Sequence, residues 1–183
     1  MKKQVKGTLL KIVVIPIRAN KSGVYDDILS DAAKSFITQR ILDSIWYPFE
    51  LYKELYNALS IVEGKENPKT LMRWGNQYCE MAMTSTYKLS VVKGDIKRSM
   101  EKYRRFHNLV YNFGKILVEF PADNQLIVTY QGVDRDFKNW YYIAFGWLEK
   151  FVELCINKKP TLKILNKSWE GGSITQCLLS WPS

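Results

Sequence analysis

The order of apolar and turn signals predicts an α+β fold, with N-terminal helices packed with a roughly four-stranded antiparallel sheet made of two hairpins separated by a helix. Three observations carry it. Residues 115–120 and 125–130 alternate apolar and polar side chains around the turn Pro121-Ala-Asp-Asn124. Residues 161–165 and 173–181 form a second strand pair around Glu170-Gly171-Gly172. Between the pairs, residues 139–156 have helical period, with Tyr142, Phe145, Leu148, Val152 and Cys155 along one side.

The N-terminal half is mostly helical in pattern. Residues 6–19 are open to two readings: β-branched side chains and Pro16 favour a strand, whereas Leu9, Ile12 and Val13 also fit one helical face. After a break at Gly23, Ile28, Leu29 and Ala32 predict a helix over 24–36, with Asp26 and Asp27 in its first turn. Pro48 at the start and Gly64 at the stop frame a helix over 46–64. Its inward stripe is Leu51, Leu55, Ala58, Leu59 and Val62, with Tyr52 and Tyr56 at the edge. Asn67-Pro68 opens the next helix, whose apolar face is Leu71, Trp74, Tyr78 and Ala82. Gly75 inside it costs about 1 kcal/mol relative to alanine, so close packing against another backbone is expected there. Gly94 then breaks the chain and Asp95 caps a basic helix with Ile96, Met100, Tyr103, Phe106 and Val110 inward. His107, the chain's single histidine, is expected at the surface in the last turn of that helix, where it suits the dipole.

A chain of 183 residues with 46% hydrophobic content suits one domain over 1–183 with a sizeable core. No apolar run reaches the roughly 18 residues of a membrane span, and no cleavage site follows the apolar stretch near the N-terminus, so cytoplasm is the expected compartment. Cys79, Cys155 and Cys177 are dispersed and odd in number, which implies no disulfide framework. The net charge of +9 is concentrated: residues 1–21 hold six Lys/Arg and no acid, and residues 93–105 hold six against Asp95 and Glu101. The second group supplies a basic patch of Lys97, Arg98, Lys102, Arg104 and Arg105. Solvated faces account for such patches; anionic membrane or nucleic acid is the alternative, with nucleic acid the less expected partner.

The motifs of the common enzyme classes are absent: no phosphate-binding Gly-rich loop, no dinucleotide fingerprint, no nucleophile elbow. A zinc site from Cys and His alone would need all three cysteines and His107 without any Cys-x-x-Cys pair, so no metal is expected. No catalytic residue is assigned. Trp74, Tyr78, Met100, Tyr103, His107, Phe113, Tyr130 and Phe145 are core candidates first, and would also line an apolar ligand pocket.

Several segments in order carry a family resemblance: Lys6-Gly7-Thr8 before an apolar run, Tyr47-Pro-Phe-Glu-Leu-Tyr-Lys-Glu-Leu55, Leu71-Met-Arg-Trp-Gly75, residues 126–130 before an aromatic helix with Phe145-Gly146, and Gly171-Gly-Ser-Ile-Thr-Gln-Cys-Leu-Leu-Ser-Trp181. Together they resemble the superfamily that joins haem nitric-oxide-binding domains, 4-vinyl-reductase-type sensor domains and the Golgi-tethering TRAPP subunits, closest to haem-less bacterial members. The haem branch is marked by Tyr-x-Ser-x-Arg, which holds the propionates. Here the segment reads Tyr130-Gln131-Gly132-Val133-Asp134, with glycine for serine and a repelling aspartate for arginine. The zinc of the vinyl-reductase branch takes three cysteines and a glutamate; Cys155, Glu170 and Cys177 map onto it loosely and a third cysteine is missing. The resemblance therefore implies the fold without a cofactor. The function it implies is a haem-free sensory domain that binds a small apolar or aromatic molecule without catalysis. Because the chain stops soon after the fold ends, a homodimer or effector protein would carry the output. The alternatives are a TRAPP-like protein-interaction scaffold with a filled pocket, and a basic-patch binder of nucleic acid or anionic membrane.

Overall fold

A computed structural model describes residues 2–85 and 87–182. Their contacts fall into two compact units: residues 1–67 with 108–113, and residues 68–107 with 114–183.

The first unit holds β1 (Gln4–Lys6), α1 (Gly7–Ala19), α2 (Asp31–Ile37), β2 (Trp46–Pro48) and α3 (Phe49–Val62). The ambiguous residues 6–19 are helical. Leu10, Val13, Val14 and Ile17 bury one face of α1, and Pro16 falls in the last turn, where the helix is about to end anyway. The helix predicted over 24–36 is shorter than expected. Residues 24–28 turn, and α2 starts only after Ser30, whose hydroxyl accepts from the Ala33 amide at 3.2 Å. The start of the 46–64 helix is also corrected: Trp46–Pro48 is a short strand, antiparallel to β1 with Val5 opposite Tyr47. Tyr52 and Tyr56 are fully inside, while Leu51 and Val62 are half-buried, because the buried stripe of α3 is rotated towards Phe49, Leu55 and Leu59. Segment 108–113 joins this unit through a Val5–Tyr111 bridge and the Asn112 side chain, which accepts from the Gln4 amide at 2.7 Å.

The second unit holds α4 (Pro68–Thr84), α5 (Ile96–Val110, except its last three residues), β3 (Lys115–Glu119), β4 (Gln125–Gln131), α6 (Lys138–Ile156), β5 (Thr161–Asn166) and β6 (Thr175–Ser180). Its antiparallel sheet runs β3-β4-β6-β5, the two hairpins expected from the sequence, joined by pairing of β4 with β6. Ile116, Leu126, Val128, Tyr130, Cys177 and Leu179 supply its buried side chains. Helix α6 packs on α4 and touches β5 and β6. It is buried on most sides, which corrects the single apolar stripe expected of it: Trp140, Ile143, Ala144 and Phe151 are inside as well as Phe145, Leu148, Val152 and Cys155, while Tyr142 is half-buried. The α4–α6 crossing is built on two glycines. A Cβ on Gly75 would lie 2.0 Å from the Ile143 carbonyl oxygen, and one on Gly146 would lie 1.9 Å from that of Met72. On α4 the fully buried positions are Leu71, Gly75, Cys79 and Met83, which leaves Trp74 and Tyr78 half-buried. Among the described residues, no helix is long and apolar enough to cross a membrane.

Candidate functional site

The inward arc of α5 carries the most telling side chains. Asp95 caps the helix by accepting from the Arg98 amide at 2.9 Å, and burial of the apolar face turns Met100, Tyr103 and His107 inward. His107 is only 4% exposed, which corrects the surface position expected for it. An ideal Cβ on Gly114 would stand 3.3 Å from its Nε2, so the glycine leaves the ring its room.

From the opposing strand, Tyr130 is 1% exposed, and its hydroxyl shares a 3.0 Å hydrogen bond with that of Tyr103. Burial, then the neighbouring Tyr103, pushes the Tyr130 phenol well above its ordinary range, so it stays protonated and neutral. Rings close round this pair. Tyr103 stacks on Trp147 at 5.1 Å and tilts against Phe151 at 5.6 Å. Trp147 in turn stacks with Phe106 at 5.5 Å and with Phe151 at 5.2 Å. Trp140, Tyr141 and Phe145 meet Tyr130 edge-on, at 5.7, 6.1 and 6.2 Å. Beside them, burial raises the Tyr141 phenol, opposed by hydrogen bonding with Ser168 and Thr175, whose own hydroxyls lie 2.8 Å apart.

Of the residues singled out from the sequence, Tyr103, Tyr130 and Phe145 are thus brought together. Met100 and His107 are buried on the same arc of α5 as Tyr103, and Trp74 and Tyr78 are half-buried on α4. Burial raises the Tyr78 phenol too. Phe113 belongs to the first unit, where it packs edge-on against Phe49 at 4.7 Å and Tyr111 at 5.5 Å. Sequence reasoning missed Trp147 and Phe151, the rings on which the cluster is stacked. With Trp140 and Ala144 they make a second helical stripe on α6, and a helix with two apolar stripes is buried on both sides.

The segment that corresponds to the propionate-holding motif can be tested for fit. Tyr130 spends its hydroxyl on Tyr103. Gly132 has a φ of 72° and offers no side chain. Asp134 turns its carboxylate back to accept from the Asp136 amide at 3.0 Å. No cation stands at the motif's arginine position, and a carboxylate there opposes a second anion. These residues do not fit a haem propionate pair.

Thiol chemistry is suppressed by burial, which raises Cys79 and Cys177 strongly and Cys155 less so. Cys155 Sγ and Ser99 Oγ lie 3.2 Å apart, and both reach the Val92 backbone, which pins the loop before α5 to the end of α6. Among the described residues, no group of three His, Cys, Asp or Glu could hold a metal ion. On the outer arc of α5, Lys97, Arg98, Arg104 and Arg105 are exposed and Lys102 is half-buried.

The same fold occurs in solved H-NOX domains. An oxygen-binding H-NOX domain related to soluble guanylate cyclases, in its oxygen complex, superposes with a TM-score of 0.65 at 12% identity, covering 97% of this chain and 95% of that one. A Cs H-NOX mutant with 4-cyano-L-phenylalanine gives 0.68 at 12% identity, over 97% of both chains. An Fe(II) unliganded H-NOX mutant from K. algicida gives 0.53 at 16% identity, over 97% of both. No protein-family model and no curated protein matches the sequence. The chain has an H-NOX-like fold, as the ordered segments implied, and at such identity the likeness is one of fold.

Proposed function

We propose that this protein is a haem-free sensory domain on an H-NOX-like fold, which binds a small aromatic or apolar molecule and does no chemistry on it. The observation that supports this best is the buried Tyr103–Tyr130 hydroxyl pair, held in an aromatic surround on the strand where a haem protein of the resembled family grips its cofactor. Such a surround suits a flat apolar ligand with one polar atom. The rings supply stacking area, and the paired hydroxyls supply a hydrogen bond to an incoming group. Opening the pair leaves two buried hydroxyls unpaired, at about 1–3 kcal/mol each, so a ligand shifts the population only if its own polar atom takes up those hydrogen bonds and it binds the opened arrangement better by at least that much. Signalling would pass to a second copy or to an effector protein in the cytoplasm.

Haem titration of the purified protein, with native mass spectrometry of the same sample, tests this. The expected result is no Soret band beyond that of free haem, together with a small organic molecule that co-purifies. A Soret band that is lost in His107→Ala would overturn the haem-free reading. A second reading is favoured by the ring packing itself, since Trp147 is in contact with Tyr103, Phe106 and Phe151 at once. In that reading the interior is filled by its own side chains and the protein is an interaction scaffold. Repeated preparations without any bound small molecule would decide for the scaffold.

A further inference from the structure

We propose that the outer arc of α5, with the loop that precedes it, docks the protein on an anionic membrane surface. On a helical wheel Arg104, Lys97, Glu101, Arg105, Arg98 and Lys102 follow one another round the outward arc, five cations against one acid. Among the described residues, no carboxylate makes an ion pair with Lys97, Arg98, Arg104 or Arg105. The charge therefore faces solvent without internal neutralisation. This is unlike Lys150, which is shared between Glu80 and Glu153.

The second observation is apolar. Leu89, in a short 3-10 turn at Lys88–Ser90, is 78% exposed. It stands beside the basic arc, because Lys102 Nζ donates to the Leu89 carbonyl. Lys88 and Lys93, both exposed, flank it along the loop. A protruding leucine flanked by Lys88, Lys93 and Lys102 matches the layering of a charged bilayer, with anionic headgroups outside and an apolar boundary just beneath.

The leucine also separates this partner from others of like charge. A nucleic-acid backbone would satisfy the cations but gives an aliphatic tip nothing to enter. Of the rings beside the arc, Tyr87 and Phe106 pack on each other at 4.9 Å, and the half-buried Phe120 lies 5.8 Å from Lys97 Nζ, so none stands free for base stacking. An acidic protein would need a pocket shaped for one leucine, whereas a fluid interface needs none. This surface acts independently of the ligand reading above.

Co-sedimentation with vesicles tests the proposal. Phosphatidylcholine vesicles with about one third phosphatidylserine should bind the full chain at low salt, and pure phosphatidylcholine vesicles should not. Each basic residue near such a surface is worth roughly a fivefold change in partition. Arg98→Glu with Arg105→Glu should therefore weaken binding by at least about 25-fold. Leu89→Ser should weaken it roughly fivefold or more while leaving the salt dependence unchanged. All three positions are exposed, and an unchanged circular dichroism spectrum verifies that the variants fold. Failure of the unmutated protein to bind phosphatidylserine vesicles at low salt would overturn the proposal. So would equal binding by Leu89→Ser, or tighter binding to duplex DNA than to vesicles.

Discussion

At Gly75 the backbone of α4 comes so near α6 that no β-carbon fits, since the Ile143 carbonyl oxygen would be 2.0 Å away and the Trp147 amide nitrogen 2.7 Å. Both atoms are main chain, so neither can swing aside. Gly75→Ala should therefore destabilise the protein by about 3 kcal/mol, more than the ~1 kcal/mol that alanine gains in helix propensity. A urea unfolding midpoint unchanged from the unmutated protein would rule out so close a crossing. This contact was legible in the sequence, because a glycine in a helix interior has a cost that close packing offsets. The partner Gly146 and the burial of His107 were not legible in the same way. A lone histidine near the end of a basic helix looks solvated, whereas the turn at Gly114, with its φ of 77°, brings the following chain close to the ring.

At the scale of elements, α5 shows how the register of one helix decides which side chains reach a site. Its residues alternate between strong cations and large rings. A rotation of the helix by one residue would carry His107 and Tyr103 outward and charges inward. The Asp95 carboxylate fixes the start by accepting from the Arg98 amide, while Ser99 Oγ accepts from the Val92 amide at 2.8 Å and anchors the preceding loop. Asp95→Ala should lower stability by about 1 kcal/mol, read as a shift in the urea midpoint. Hydrogen exchange should report faster opening of the first turn of α5 in that variant, with β4 and α6 unaffected. The shorter α2 and the strand at Trp46–Pro48 are the opposite case. Ser30 competes with Asp26 and Asp27 as a helix start and wins, because the chain turns through 24–28 first. The strand β2 exists only because β1 lies opposite it.

Across the whole molecule, buried acids that stay protonated link folding to alkaline pH. Burial raises the thiols of Cys79 and Cys177 above their ordinary 9.0, and the phenols of Tyr130 and Tyr141 above their ordinary 10.0. In the unfolded chain these groups lose their protons near the ordinary values, while the folded protein retains them. Above about pH 9 the unfolded state therefore binds fewer protons, and stability falls as pH rises. Urea midpoints should be level through neutral pH with respect to these groups and decline from about pH 9 upward. A midpoint that stays level to about pH 11 would contradict the burial of these groups.

The sequence by itself determined the α+β order, the two hairpins, the cap at Asp95, the basic outer arc of α5 and the substitutions at Gly132 and Asp134. Each is a local matter of period, turn chemistry or side-chain identity, readable within a few residues of chain. Only the tertiary structure decided which rings meet. Trp147 stacks on Tyr103 across 44 positions of sequence, and Tyr130 finds the Tyr103 hydroxyl across 27. Such pairings depend on how a twice-buried helix sits between α4 and the sheet strands of its own unit, and periodicity along one segment carries no information about what faces it from another.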